Sequence, residues 1–332
     1  MIFFVICISI LYLFTFFSHR EVGTFSKEQV ATLKGVMSVS IVAFHLSCFT
    51  DSWLYVFGSW GAPIVSLFYF ISGYGLMFSL EKKGSQYLKN FFRNRIIRGI
   101  LLPFLLVWFI NRLLFKEFYS QDLFDEIANL IVYGHTTLNF SWYIFSILFF
   151  YIMFYLTARY RNVVLVSFVY TVLYIMVTYL MGYERCWYIS ALAFPFGILF
   201  CRYEKRIHEQ WYSAVKYYAT VPLCMLLLML CVISKSEYMF FIAYVLIPFV
   251  VVCACAKLKL SNKFIEYLGK YSYEIYLCHG MCMMFFRGEY IDISSDNMYI
   301  LVVFASTFAM AFCVKGILFI ATALLKSKCI CD

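Results

Sequence analysis

Charged residues are scarce in this sequence. Only 14% of its 332 residues are Asp, Glu, Lys or Arg, where a soluble domain carries about a quarter, and that excludes a simple cytosolic enzyme. Apolar residues make up 64%. A soluble core of this size could not enclose 38 Phe, 28 Tyr and the aliphatics together, so the excess is expected to face hydrocarbon. With 5 Pro and 15 Gly the chain is neither collagen-like nor of low complexity, and no long polar stretch suggests a disordered tail. Closely paired cysteines are few: among 13, only Cys253 with Cys255 and Cys329 with Cys331 stand together, which points to neither a disulfide framework nor a zinc site. Acids are outnumbered by 27 bases to 18. The basic residues cluster in short connectors between apolar blocks, the pattern of cytoplasmic loops rather than of nucleic-acid binding.

A window of roughly 19 residues picks out eleven apolar blocks, near 2–17, 33–49, 62–80, 96–115, 140–158, 162–181, 187–201, 217–234, 238–256, 272–286 and 298–325. The chain is therefore predicted to be all-α, a polytopic membrane helix bundle of about 11 transmembrane helices, the seventh and tenth short for a span of about 20 residues. The first block has neither a basic run before it nor a small-x-small cleavage site after it, so it is expected to be a retained helix and not a signal peptide. Alternate connectors hold nineteen Lys and Arg in one set and four in the other, the first set running from Arg20 and Lys27 to Lys326 and Lys328 and the second holding Lys116, Arg185, Lys235 and Arg287. The first set is predicted to be cytoplasmic, which puts the N-terminus outside and the C-terminus inside an inner or plasma membrane. No broken helix pair recurs in two halves, as in repeat-built transporters. The connectors are too short for a soluble catalytic domain, so chemistry is expected in the membrane body.

Four segments carry groups suited to chemistry. On the second span Lys34 precedes His45 by eleven residues, which brings both onto one helix face roughly 16 Å apart along the axis. An ionisable group at that depth costs a few kcal/mol and usually faces inward. His45 is either a general base or a neutral histidine bonded between helices; Lys34 is either a phosphate partner or a snorkelling interfacial lysine. On the third span Phe70, Ile71, Ser72, Gly73, Tyr74 and Gly75 form a run whose glycines permit close backbone approach. Entering the fourth span, Arg95 and Arg98 at i and i+3 are expected to share a face, either to grip phosphates or to anchor the helix. Opening the tenth, Ser272, Tyr273, Tyr276, Leu277 and His279 place a second imidazole roughly 10 Å into the membrane.

Taken in order, these segments resemble the type 3 family of integral-membrane acyltransferases, which O-acylate carbohydrates and related acceptors. The resemblance covers about residues 30 to 325 and rests on the base and histidine at Lys34 and His45, the Phe70-to-Tyr74 run, the Arg95 and Arg98 pair before Leu102 and Pro103, and the Ser272-to-His279 stretch. Lys34 departs from the Arg usual at its position, keeping the charge but losing the bidentate fork. The resemblance implies a core of about ten helices. Residues 1–29 are then an extra N-terminal helix with a short cytoplasmic loop, 30–325 the membrane acyltransferase domain, and 326–332 a short cytoplasmic tail. Some members carry a fused extracytoplasmic esterase-like domain; here transfer is expected to be completed by the membrane domain or by a separate partner.

The implied activity moves an acyl group, acetyl in the simplest case, from cytoplasmic acyl-CoA to a hydroxyl of an envelope or exported glycan. His45 would be the base, Lys34, Arg95 and Arg98 the CoA-phosphate ligands, and Ser72, Tyr276 and His279 contacts for the oxyanion or the sugar. No permanently bound cofactor and no metal are expected, acyl-CoA being a co-substrate. Expected partners are the glycan or glycolipid acceptor, the bilayer and polysaccharide-assembly proteins, without nucleic acid. The alternatives are a proton-coupled transporter or flippase using His45, Glu274 and His279, and a nonenzymatic scaffold.

Overall fold

The computed structural model describes residues 1–18, 25–115, 122–134, 136–211, 214–288 and 290–328, without the side chains of 208, 210–211, 214–215 and 323–328. Arg20, Lys116 and the end of the expected tail, 329–332, lie outside the described residues. The helices are α1 (Ile2–Phe16), α2 (Lys27–Ser47), α3 (Gly61–Lys83), α4 (Gln86–Lys89), a π-helix (Phe92–Leu101) running into α5 (Leu102–Leu114), α6 (Leu123–Tyr133), α7 (Trp142–Thr157), α8 (Val163–Leu180), α9 (Ala193–Trp211), α10 (Ala214–Ser234), α11 (Glu237–Leu258), α12 (Lys263–Gly269), α13 (Ser272–Phe286) and α14 (Asp296–Lys328). Among the described residues the β structure is a single bridge between Arg287 and Asp292.

Each of the eleven predicted blocks falls on a helix. Among the described residues seven segments are long and apolar enough to cross a membrane: Lys27–Ser47, Gly61–Lys83, Phe92–Leu114, Val163–Leu180, Lys216–Ser234, Glu237–Leu258 and Asp296–Thr322. The other four are shorter or mixed. α1, α7 and α13 have 15, 16 and 15 residues, and α9 ends in the charged run Arg202, Glu204, Lys205 and Arg206. The outward faces are hydrocarbon, as Leu165, Val169, Leu173 and Val177 on α8 and Leu223, Leu226 and Leu230 on α10 illustrate. Such helices are apolar all round, so their buried hydroxyls turn back on the helix: Ser38 donates to the Gly35 carbonyl, Ser66 to Pro63 and Thr171 to Ser167.

Without a hydrophobic drive between helices in lipid, small residues decide which backbones meet. A Cβ on Gly73 of α3 would collide with the Phe194 carbonyl of α9, and one on Gly197 of α9 with the Phe70 carbonyl of α3. The same device joins α2 to α12, where Gly35 faces the Ile265 carbonyl and Gly269 faces that of Ala31. Gly75, expected to share this role with Gly73, has open space beside it instead and borders a cavity. The start of α2 is fixed by a reciprocal cap between Ser26 and Gln29, and the Gln29 amide also donates to the Cys255 carbonyl at 2.6 Å. At the other end of the bundle Arg287 ties α13 to α14 through Asp296 at 2.7 Å and to the end of α2 through the Phe49 carbonyl at 2.9 Å.

The short helix α6 is anchored by one buried carboxylate. Glu126 accepts from Trp108 at 2.8 Å, from Arg112 at 2.5 Å and from the Thr137 backbone at 3.0 Å. Burial pushes its carboxyl up, but the hydrogen bonds from Thr137, Trp108 and Arg112 outweigh that and hold it below its ordinary 4.5. A depressed carboxyl stabilises the fold above the unfolded-state value, and that contribution is lost as the pH falls through the folded-state one. Hydrogen-exchange protection of residues 123–133 is therefore expected at pH 7 and lost in acid as the pH falls through the lowered carboxyl value, with Glu126→Gln unprotected already at pH 7; protection indifferent to both changes would refute the anchor. Separately, Gly73→Ala is expected to destabilise the detergent-solubilised protein by about 1–3 kcal/mol while Gly75→Ala leaves its melting temperature unchanged. Equal melting temperatures for the two variants would contradict the α3–α9 crossing.

Candidate functional site

Two cavities near the basic end of the bundle share part of their border. The larger, about 620 Å³, is bordered by Lys27, Lys34, Arg95, Arg202 and Lys205 together with Glu81 and Glu204. Both carboxylates are committed: Glu81 pairs with Arg202 at 3.0 Å, and Glu204 accepts from the Phe25 amide at 3.0 Å and the Tyr74 hydroxyl at 2.8 Å. Among the described residues Lys27, Lys34 and Lys205 have no ion-pair partner, so the mouth carries uncompensated positive charge. The smaller cavity, about 200 Å³, is bordered by Ser272 and the tyrosines Tyr143, Tyr273 and Tyr276. Lys34, Ser72, Arg95 and Tyr151 border both. They form the ring where an anion-attracting mouth narrows into a tyrosine-lined neck.

Each of these side chains is aimed by its helix. Lys34 is next to Gly35, where α12 presses on α2. Tyr143, Ile147 and Tyr151 stand at i, i+4 and i+8, one stripe of α7 turned to the neck. Arg95 lies on the π-helix, donates from Nε to the Tyr87 hydroxyl at 3.2 Å and borders both cavities. Arg98 borders neither. The shared face expected of Arg95 and Arg98 is an α-helical property, and the i→i+5 bonding here, seen in the Leu102 amide donating to the Ile97 carbonyl, rotates the pair apart. Pro103 explains the wide turn. It brings no N–H, and its ring would crowd the carbonyl four residues back. On the same stretch the Ile100 carbonyl accepts the Tyr273 hydroxyl at 3.0 Å.

Beyond the neck lies an aromatic layer. The Tyr276 hydroxyl donates to the Phe140 carbonyl at 2.6 Å, and its ring centroid is 5.4 Å from that of His279. Phe140 stacks on His45 at 3.7 Å and on His279 at 5.1 Å. The two imidazoles are 4.9 Å apart, centroid to centroid. His279 is fully buried, and its Nδ1 is 2.5 Å from the Tyr276 carbonyl while Nε2 has no partner among the described residues. Phe140 holds φ at 62°, a left-handed conformation that a bulky side chain rarely adopts.

Of the residues singled out in the sequence, Lys34, Ser72, Arg95 and Tyr276 thus border the passage, whereas His45 and His279 meet one another just past its inner end. Of the proposed proton-coupling set, His45 and His279 stand 4.9 Å apart, and Glu274 pairs with Lys315 at 3.3 Å. Sequence reasoning missed Tyr143, Tyr151 and Phe140. The α7 stripe was visible as a spacing, but among 28 Tyr and 38 Phe it did not stand out. Among the described residues no three His, Cys, Asp or Glu side chains are grouped to hold a metal ion.

The arrangement sets cations around one end of the path and two imidazoles one aromatic layer past the other. No curated protein and no solved structure matches this chain. A family model described as an acyltransferase domain matches residues 27–316, a stretch that takes in the basic mouth, the tyrosine neck and both imidazoles but leaves out α1. The chain belongs to the type 3 family of membrane acyltransferases.

Proposed function

We propose that this acyltransferase carries an acyl group, acetyl in the simplest case, from cytoplasmic acyl-CoA to a hydroxyl of an envelope or exported glycan. The observation that carries the reading is a path that begins among unpaired lysines and ends one aromatic layer from two imidazoles. Acyl-CoA is made in the cytoplasm, and its phosphates cannot cross hydrocarbon unaided. A path bordered by cations below and ending one aromatic layer short of the imidazoles answers that constraint. In this reading α1, α7, α9 and α13 cross with the seven longer segments, giving eleven passages with the N-terminus outside and the C-terminus cytoplasmic. Residues 30–325 then act as the catalytic domain in the inner or plasma membrane.

The CoA phosphates rest against Lys34 and Arg95 at the mouth, with Lys27 and Lys205 adding to the field; Arg98, outside the path, adds only long-range charge. The pantetheine arm follows the neck past Ser72 and Tyr276. His45 takes the proton of the acceptor hydroxyl as its oxygen attacks the thioester carbonyl; the C–S bond then breaks and the proton passes to the departing thiolate. Tyr276 supports the layer through Phe140, and the acceptor approaches from the side away from the mouth.

Purified protein in detergent, given acetyl-CoA and de-O-acetylated envelope polysaccharide, is expected to release free thiol only when both are present. Mass spectrometry of envelope glycans from cells with and without the protein identifies the acceptor. His45→Ala should reduce turnover by at least ~100-fold without loss of abundance. Arg95→Gln and Lys34→Ala should raise the acetyl-CoA KM at least ~10-fold with a smaller effect on kcat, while Lys34→Arg and Arg98→Gln stay within ~2-fold. Wild-type turnover by His45→Ala, or an unchanged acetyl-CoA dependence in both mouth variants, would reject the scheme.

A further inference from the structure

A carbonyl oxygen can only accept, so the 2.5 Å contact between His279 Nδ1 and the Tyr276 carbonyl puts the proton of a neutral His279 on Nδ1. Its Nε2 is then a lone pair. That lone pair is completely buried and has no partner among the described residues, a costly condition for a polar atom unless something comes to it. Bound in this way, neutral His279 has no hydrogen to give from Nε2. It therefore cannot be the oxyanion donor that its place in the sequence suggested.

The neighbour that can supply the missing hydrogen is His45. Its ring is 4.9 Å from that of His279, centroid to centroid, tilted by 33°. Among the described residues no hydrogen bond holds the His45 ring; its contacts are the aromatic faces of Phe44, Phe140 and His279. With Phe140 stacked on its face at 3.7 Å, no hydrogen bond among the described residues has to break for the His45 ring to present an N–H to Nε2. An imidazole that gives one N–H away is left with its second nitrogen as a base, the logic by which a buried partner orients the histidine of hydrolytic triads.

We propose that His279 is the positioning residue of the base: its Nε2 accepts the N–H of His45, fixes which His45 nitrogen faces the acceptor hydroxyl, and holds the imidazolium that forms during transfer. The inference rests on the acyl transfer proposed above. In the step itself the hydroxyl proton moves to the free His45 nitrogen, the new C–O bond forms as the C–S bond breaks, and the same proton leaves with the thiolate as CoA thiol. His279 neither gains nor loses a proton. Its contribution is the direction in which His45 presents its lone pair.

Two substitutions separate this from a purely structural role, because each amide copies one ring nitrogen. His279→Asn keeps an N–H for the Tyr276 carbonyl but has nothing at the Nε2 position, whereas His279→Gln brings an amide oxygen to that position and gives up the Nδ1 bond. With acetyl-CoA and de-O-acetylated envelope polysaccharide as substrates, His279→Asn is expected to lower kcat at least ~100-fold while the acetyl-CoA KM stays within ~2-fold. His279→Gln is expected to keep at least ~10% of wild-type kcat. Half or more of wild-type turnover in the Asn variant, Gln turnover no better than Asn, or a Gln variant that fails to accumulate would each overturn the assignment. Where the Asn variant does not accumulate, the Gln result decides. The wild type is the discriminating control: no transfer by it overturns the acyl-transfer reading and this inference together, whereas wild-type transfer with an active Asn variant overturns this inference alone.

Discussion

Lys34 and Arg95 bring positive charge inside a bundle whose outer surface is hydrocarbon, and an ionised group held there costs a few kcal/mol unless water or polar partners surround it. The structure meets that constraint by building cavities around them. Both residues border both cavities, so their charges face space that water or a ligand can fill. The carboxylates nearby are bonded elsewhere, Glu204 to the Phe25 amide and Tyr74, Glu81 to Arg202, Glu274 to Lys315. A bundle arranged for stability alone would pair such lysines with those acids; here the acids hold helices together and leave the positive field open towards the passage.

Keeping the passage open needs helices that touch closely on either side of it. Gly73 and Gly197 lock α3 to α9, and Gly35 and Gly269 lock α2 to α12, so two pillars are fixed by backbone contact and not by bulky side chains. Space left between the pillars is then bordered by longer groups from α7, α13 and the π-helix. The π-helix contributes in two ways. It turns Arg95 inward and away from Arg98, and the Ile100 carbonyl on it takes up the Tyr273 hydroxyl. Pro103 is the local cause of the first, since it withholds an N–H from the turn before it.

Much of this was legible in the sequence because it follows from hydropathy and from charge at depth. Every predicted apolar block lies on a helix, and of the residues that the ordered motifs singled out, Lys34, Arg95, Ser72 and Tyr276 border a cavity. Spacing arguments failed where the helix was not α: an i, i+3 pair shares a face only if the turn is regular, and nothing before Pro103 announces ten residues of π geometry. The seven long segments are likewise fewer than the eleven blocks, since a hydropathy window does not see where a helix stops, as α13 does after 15 residues at Phe286. Phe140 was illegible for another reason. Its role depends on a backbone angle and on rings contributed by α2 and α13, neither of which leaves a trace in local composition.

That residue also explains why the path stops short of the imidazoles. A bulky side chain in the left-handed region stores of the order of 1–3 kcal/mol, and it persists only if its surroundings over-determine it. They do so from two sides: the Tyr276 hydroxyl holds the Phe140 carbonyl, and the absence of a side chain at Gly280 lets Asn139 and Phe140 lie directly on α13. Both constraints come from the helix that carries His279, so the ring that covers the imidazoles is held by their own support. In the proposed scheme a strained cover of this kind would separate a thioester in the neck from water on the far side more cheaply than a thick plug, because the stored strain lowers the cost of moving it aside. The chemistry proposed for this chain requires such a separation, since an open channel would let water compete with the acceptor for the same carbonyl.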